Sequence, residues 1–232
     1  MQFHASYNPP RGTDLDILCQ DESLLVVNKP AGLLAVPGRG ADKADSLISR
    51  VHERFSDALV VHRLDMATSG LMLLARGAEM QRHLSGLFRE RRVGKRYVAI
   101  LSGQVNGVAG EVDLPLSSDW PNRPRQKVDI LAGKPSLTRY RLLTYPHIPL
   151  CLPVPQHESG LGASRVELEP VTGRTHQLRV HMAAIGHPII GDALYGGDVG
   201  GRAVRLLLHA RMLSFMHPVS GKLLTVECEA PF

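Results

Sequence analysis

At 232 residues, 44% apolar and 21% charged, the chain is long enough for one large domain or two small halves with a sizeable core, which excludes a disordered or fibrous protein. Twenty-seven Lys and Arg against 22 Asp and Glu leave a formal charge of +5, which favours polyanionic partners. Three widely spaced cysteines, Cys19, Cys151 and Cys228, suggest neither a disulfide framework nor a zinc site and fit a reducing cytoplasm; no run of residues approaches the roughly 20 apolar positions of a membrane helix, and no export signal opens the chain.

Residues 1–16 read as a polar N-terminal tail or an edge segment, broken by Pro9-Pro10 and Gly12. Leu24-Leu25-Val26-Val27, closed by Asn28-Lys29-Pro30 and Gly32, predicts a strand entering a turn, and Leu33-Leu34-Ala35-Val36-Pro37-Gly38 repeats that pattern. Leu47, Ile48 and Val51 at helical spacing predict a short helix over 46–55, with Asp45 or Ser46 as N-cap. Two apolar runs, 58–61 and 71–75, read as buried strands on either side of a polar, turn-rich loop from His62 to Gly70. Catalytic groups favour such loops on a rigid scaffold.

Met80, Leu84 and Leu87 predict an amphipathic helix over 78–93, followed by a strand over 95–101 with Tyr97 near its start. Residues 111–116 suit an edge strand, where Pro115 is tolerated, and 119–127 form a basic loop bearing the only tryptophan, Trp120. Thr138, Tyr140 and Leu142 alternate with Arg139 and Arg141, predicting a half-buried strand with a cationic outer face whose partner is 165–169. Residues 146–163, rich in Pro and Gly, read as a loop extension. Leu178, Met182 and Ile185 predict a helix over 175–186 that ends on Gly186, and two closing strands, 206–210 and 223–226, flank a turn at 217–221. At least eight strands and about three helices without regular βαβ alternation place residues 17–232 in the α+β class, as one domain built on a mixed, mostly antiparallel sheet.

The positive surplus is local: residues 76–96 hold seven basic and two acidic side chains, and 119–141 hold six and two. A nucleic-acid face and a merely solvated surface both fit that pattern, so motifs must decide. Asp65 is a lone carboxylate in its loop and could be no more than a turn-forming residue. The absence of a second carboxylate at motif spacing argues against paired acid/base glycoside hydrolysis. His176 and His181 stand five apart, whereas ligands on one helical face need three or four, so no metal site is predicted. Neither a phosphate-binding glycine loop nor a serine elbow around Ser69 is present. Arg179 is either a solvated surface residue or, if its helix packs beside the 62–70 loop, the counter-charge that a nucleophilic or basic carboxylate requires. Tyr97 is either a core or interface tyrosine or a group that stacks on a base and relays a proton.

Together, His62-Arg63-Leu64-Asp65-Met66-Ala67-Thr68-Ser69-Gly70, Asn28-Lys29-Pro30-Ala31-Gly32-Leu33, Lys95-Arg96-Tyr97 and Gly173-Arg174-Thr175-His176-Gln177-Leu178-Arg179-Val180-His181 resemble, in order, the motifs of the RluA-type family of pseudouridine synthases. The resemblance runs from about Leu24 to the C-terminus and implies an eight-stranded mixed sheet with a central cleft, and isomerisation of uridine to pseudouridine in RNA without cofactor or metal. It implies Asp65 as the catalytic carboxylate, acting as a nucleophile or as the base that takes a sugar proton. Arg179 would be its ion-pair partner, Tyr97 would pack on the uracil and serve C5 deprotonation, and Arg63 would enter the RNA to hold the target nucleotide out of its stack. The basic stretches would hold phosphates, through Arg123, Arg125 and Lys127 with Arg174. Implied substrates are stem-loops of 23S rRNA and of a tRNA anticodon arm, handled by a cytoplasmic monomer with no membrane contact. Many relatives carry an extra N-terminal RNA-binding domain, for which the 23 residues before Leu24 leave no room. A non-catalytic RNA-binding module and a metal-dependent hydrolase are the alternatives, distinguished by absence of product and by sensitivity to chelator.

Overall fold

The computed structural model describes residues 7–12, 14–143 and 162–232; the extension expected at 146–163 falls outside them except for its last two residues, and Cys151 falls outside with it. Two compact units divide the chain, one formed by residues up to Gly94 together with Met212–Cys228, the other by Lys95–Arg211 with Glu229–Phe232.

The first unit is built on β1 (Asp16–Gln20), β2 (Leu24–Lys29), α1 (Leu47–His52), β3 (Ala58–Val60), β4 (Ser69–Arg76) and α2 (Gly77–Arg89). β1 and β4 both run antiparallel to β2, and β3 runs antiparallel to the end of β4. Because successive strand residues point to opposite faces, the unbroken apolar runs of β2 and β4 serve two cores at once. Leu24, Val26, Leu71, Leu73 and Ala75 pack with Leu84 and Leu87 of α2, while Leu25, Val27, Met72 and Leu74 pack with Leu47, Ile48 and Val51 of α1. Each such leucine, withdrawn from water, contributes roughly 2 kcal/mol, so β4 cannot shift register without losing both faces.

Two local expectations are corrected. The second apolar run, Leu33 to Gly38, forms no strand: Leu33 and Ala35 enter the core below α1, and the carbonyls of Leu34 and Ala35 accept the N–H groups of Leu47 and Ile48 at 2.7 and 3.3 Å. A helix start needs partners for its unpaired N–H groups, and this segment supplies two of them, alongside a capping box between Ser46 and Ser49. Nor is all of the N-terminal stretch a loose tail, because the Tyr7 hydroxyl donates to the Asp45 carbonyl at 3.0 Å and Arg50 donates to the Pro10 carbonyl at 2.8 Å.

The second unit carries β5 (Gly94–Ser102), β6 (Ala109–Asp113), β7 (Leu116–Ser118), β8 (Gln126–Val128), β9 (Leu137–Leu142), β10 (Ala163–Pro170) and α3 (Gln177–Ala184). Strand order is β5-β10-β9-β6, antiparallel throughout, and β7 and β8 form a separate hairpin. β10 is the expected partner of β9, and the segment read as an edge strand is β6 at the end of that order. The cationic face of β9 is less bare than its alternation suggested: Arg139 pairs with Glu111 at 2.7 Å and Arg141 with Glu167 at 3.0 Å. α3 is shorter than expected and packs against β8, β9 and β10; Gly186, at φ +84°, follows it in the left-handed region where a residue without Cβ belongs. α2 likewise stops at Arg89, before the left-handed Arg91 at φ 60°.

β11 (Leu208–Met216) begins in the second unit and finishes in the first, where residues 212–216 pair antiparallel with β12 (Leu223–Glu227). Twelve strands against three α-helices among the described residues confirm the α+β class, and among those residues no helix is long and apolar enough to cross a membrane.

Candidate active site

Asp65 lies half-buried in the loop that joins β3 to β4, and the loop is held from beneath by a lysine. Lys29, the last residue of β2, has no solvent exposure, and its ammonium donates to the carbonyls of Leu33 at 2.7 Å, Pro30 at 2.9 Å and Met66 at 3.1 Å. An ammonium group has three protons, and burying it is tolerable only when each finds an acceptor. Met66 is the neighbour of Asp65, and its carbonyl also accepts the Gly32 N–H at 2.8 Å; Gly32 takes φ +85° to present that group. Thr68 closes the turn by donating its N–H to the Asp65 carbonyl at 3.1 Å.

His62 anchors the other end of the loop. Its Nε2 accepts the Leu73 N–H at 2.9 Å, so the ring takes over the ladder of β4 where β3 has ended, and it stacks on Phe88 of α2 with centroids 4.3 Å apart. Accepting there requires Nε2 to be unprotonated. Between these anchors Arg63 is exposed and makes no hydrogen bond or ion pair among the described residues. The loop therefore presents a carboxylate and a guanidinium on a backbone fixed at both ends.

In the second unit, Arg179 of α3 is buried, and its guanidinium forks onto Asp192, with Nε to Oδ2 at 2.8 Å and Nη2 to Oδ1 at 2.7 Å. The surface reading of Arg179 is thereby ruled out. Asp192 also accepts the N–H groups of Leu194 and Tyr195 at 2.9 and 3.1 Å. Burial pushes the Asp192 carboxyl up, but the Arg179 fork and these two N–H groups outweigh it and hold the carboxyl below its ordinary range. The Arg179 guanidinium lies 5.1 Å from the centre of the Tyr195 ring, whose hydroxyl meets Nδ1 of His176 at 2.6 Å and accepts the Gln126 N–H at 2.8 Å.

Tyr97, half-buried, sits on β5 opposite Leu168 of β10. Its neighbour Arg96 pairs with Glu167, which Arg141 also reaches; burial raises that carboxyl, and the two guanidinium groups reverse the effect and lower it. The stretch before α3 is folded by Gln177, whose amide accepts the Thr172 hydroxyl at 2.6 Å and the Arg174 N–H at 3.0 Å and donates to the Leu137 carbonyl at 2.9 Å. Arg174 reaches the Pro135 carbonyl at 3.4 Å, while Arg123, Arg125 and Lys127 are exposed on the loop between β7 and β8 and on β8 itself.

His181, weighed above as a ligand, is a core residue. Its two ring nitrogens meet Thr138 Oγ1 and the Leu114 carbonyl, each at 2.9 Å, and burial lowers its pKa. Sequence reasoning gave no individual role to Lys29, Asp192 or Tyr195, which the structure ties to the Asp65 loop and to Arg179. A lysine ending an apolar strand run and an Asp between Gly191 and Gly196 were the available signals, but neither names its partner.

The family model for RNA pseudouridylate synthase matches residues 23–184. The chain is 46% identical, over 98% of its length and 98% of the relative's, to the dual-specificity RNA pseudouridine synthase RluA of Escherichia coli. It is 44% identical to the protein of the same name from Haemophilus influenzae, over 97% of this chain and 98% of that one. Among solved structures it is similar to human RNA pseudouridylate synthase domain containing 1, at 30% identity and a TM-score of 0.75 over 100% of this chain and 87% of that one. The human domain containing 4 matches at 27% identity and 0.69, over 93% and 88%.

Proposed function

The chain belongs to the RNA pseudouridylate synthase family, and we propose that Asp65 is the residue on which its reaction turns. Conversion of uridine to pseudouridine breaks the bond from uracil N1 to the sugar, forms one from C5, and returns the C5 proton's equivalent to N1, so nothing is gained or lost. A carboxylate serves either as the nucleophile at the sugar or as the base that takes a sugar proton, and both roles need a group held still beside the substrate. The observation that carries the assignment is the loop itself: Asp65 adjoins a residue whose carbonyl is bonded to a fully buried lysine.

Tyr97 and Arg179 complete the proposal in the roles that the family resemblance implies, Tyr97 on the uracil and Arg179 as counter-charge to the carboxylate. Supporting this, Arg179 is oriented in advance by Asp192 and Tyr195 rather than left to find its geometry during reaction. Arg63, exposed beside Asp65, is the side chain we propose enters the RNA, and extrusion of the base costs a few kcal/mol, least in a loop. Stem-loops are accordingly the substrates we propose. Those of 23S rRNA and a tRNA anticodon arm suit a chain whose bacterial relatives are named dual-specificity, acting as a monomer in the cytoplasm.

Tritium release from 5-labelled uridine in a stem-loop transcript tests the reading. Asp65→Asn and Asp65→Ala are expected to reduce release to background while RNA binding survives. Release at the wild-type rate by either variant would sink the assignment.

A further inference from the structure

The hairpin of β7 and β8 carries a feature that the reaction does not use. Trp120, the only tryptophan of the chain, is 68% exposed at its tip, and the Arg123 guanidinium lies 3.2 Å from the ring centroid. We propose that Trp120 and Arg123 form a stacking platform for one unpaired nucleotide of the RNA, outside the target uridine. The proposal rests on the reading that this chain acts on RNA.

A large aromatic surface normally leaves water, and here it is instead displayed on a loop that is already ordered. The Asp119 N–H donates to the Arg125 carbonyl at 3.0 Å, Arg125 and Asn122 return bonds of 3.0 Å to Asn122 and Asp119, and the Asn122 amide reaches the Asp119 carboxylate at 2.9 Å. The loop is also tied to the Arg179 cluster, because the Gln126 N–H donates to the same Tyr195 hydroxyl that meets His176, under the Arg179 guanidinium. Platform and proposed catalytic arginine are thus joined within one unit by a short chain of bonds. A nucleotide seated on Trp120 would be set at a fixed offset from Arg179.

The chemistry around the ring selects the occupant. A protein-docking patch needs contiguous apolar area, whereas Trp120 is followed by exposed Pro121, Asn122, Arg123, Pro124, Arg125 and Lys127. An exposed aromatic face with cations next to it in the loop fits a base with its phosphate. Stacking accepts any base because each has a π face, and a guanidinium plane stacks as well as a ring does.

A lone tryptophan makes the test direct. The Asp65→Asn protein, titrated with a stem-loop RNA, is expected to show saturable quenching of Trp120 fluorescence with the midpoint that anisotropy of labelled RNA reports. Trp120→Ala is expected to weaken RNA binding by roughly 5- to 150-fold, the range produced by loss of one base–aromatic stack, and Trp120→Phe to recover most of it. In the active background the loss should fall on KM rather than on kcat. RNA binding without quenching, or wild-type affinity in Trp120→Ala, overturns the platform. So does a fluorescence change that follows protein concentration without RNA, which would make the ring a protein contact. Failure of the wild-type protein to make any pseudouridine would instead overturn the proposed function, and is scored separately.

Discussion

Shutting a lysine ammonium away from water leaves the protein itself to satisfy it, and at Lys29 the acceptors come from both the turn after β2 and the loop that carries Asp65. Replacing it by methionine keeps the bulk but takes the ammonium donor from the carbonyls of Leu33 and Pro30 and leaves that of Met66 with the Gly32 N–H alone. Lys29→Met should therefore cost about 2–4 kcal/mol of stability, measured by urea unfolding, and should lower kcat for tritium release by letting the Asp65 backbone drift. A variant as stable and as fast as wild type would show that the lysine is not a strut. The motif around Lys29 was legible in the sequence. Its role was not, because one of its acceptors, Met66, lies 37 residues away.

At the scale of elements, α3 matters less for its length than for the arginine it buries. Asp192 answers Arg179 from the loop beyond α3, and an ion pair this deep is costly to break from one side, because the surviving charge keeps its burial without its partner. Asp192→Asn is expected to lose about 3–5 kcal/mol at neutral pH and to disturb the Tyr195 contact with the β7–β8 loop. Its pH dependence has a definite sign. The folded carboxyl titrates below its unfolded value of about 3.9, so its stabilisation is fully present above that pH and drains away as the pH falls through the lower, folded value. Glu167 is lowered too and contributes to the same acid loss, so the comparison that isolates Asp192 is wild type against Asp192→Asn. Urea midpoints from neutral pH down to about 2 should converge between the two proteins below pH 4. Parallel profiles would show that the pair does not carry the effect.

Over the whole molecule, a charge of +5 on 232 residues is unremarkable until its local surplus is placed. Arg125 and Lys127 are exposed, whereas Arg139 and Arg141 are spent on carboxylates, so the basic stretch 119–141 divides into a part that can face phosphate and a part that mainly holds the sheet. Binding of the stem-loop should weaken steeply with salt, and replacing both Arg125 and Lys127 by alanine should flatten the slope of log affinity against log salt by roughly one to two. An unchanged slope would move the phosphate contacts elsewhere. The sequence by itself determined what a short window of chain can hold. Doubly buried β2 and β4 follow from unbroken apolar runs, the start of α1 from the pair Asp45 and Ser46, of which the structure makes Ser46 the cap, the end of α3 from Gly186, and the family from motifs in fixed order. The segment from Leu33 to Gly38 was misread because its apolar residues pack below a helix without joining a ladder, and burial alone looks the same in both cases. Only the tertiary structure decided that Lys29 holds Met66, that Arg179 is forked by Asp192, and that Tyr195 pins Gln126, across separations of 37, 13 and 69 residues. Periodicity reports which face of an element is buried. Which polar group meets which is set by chain closure over long distances, and the cost of leaving a buried charge unpaired then admits few solutions.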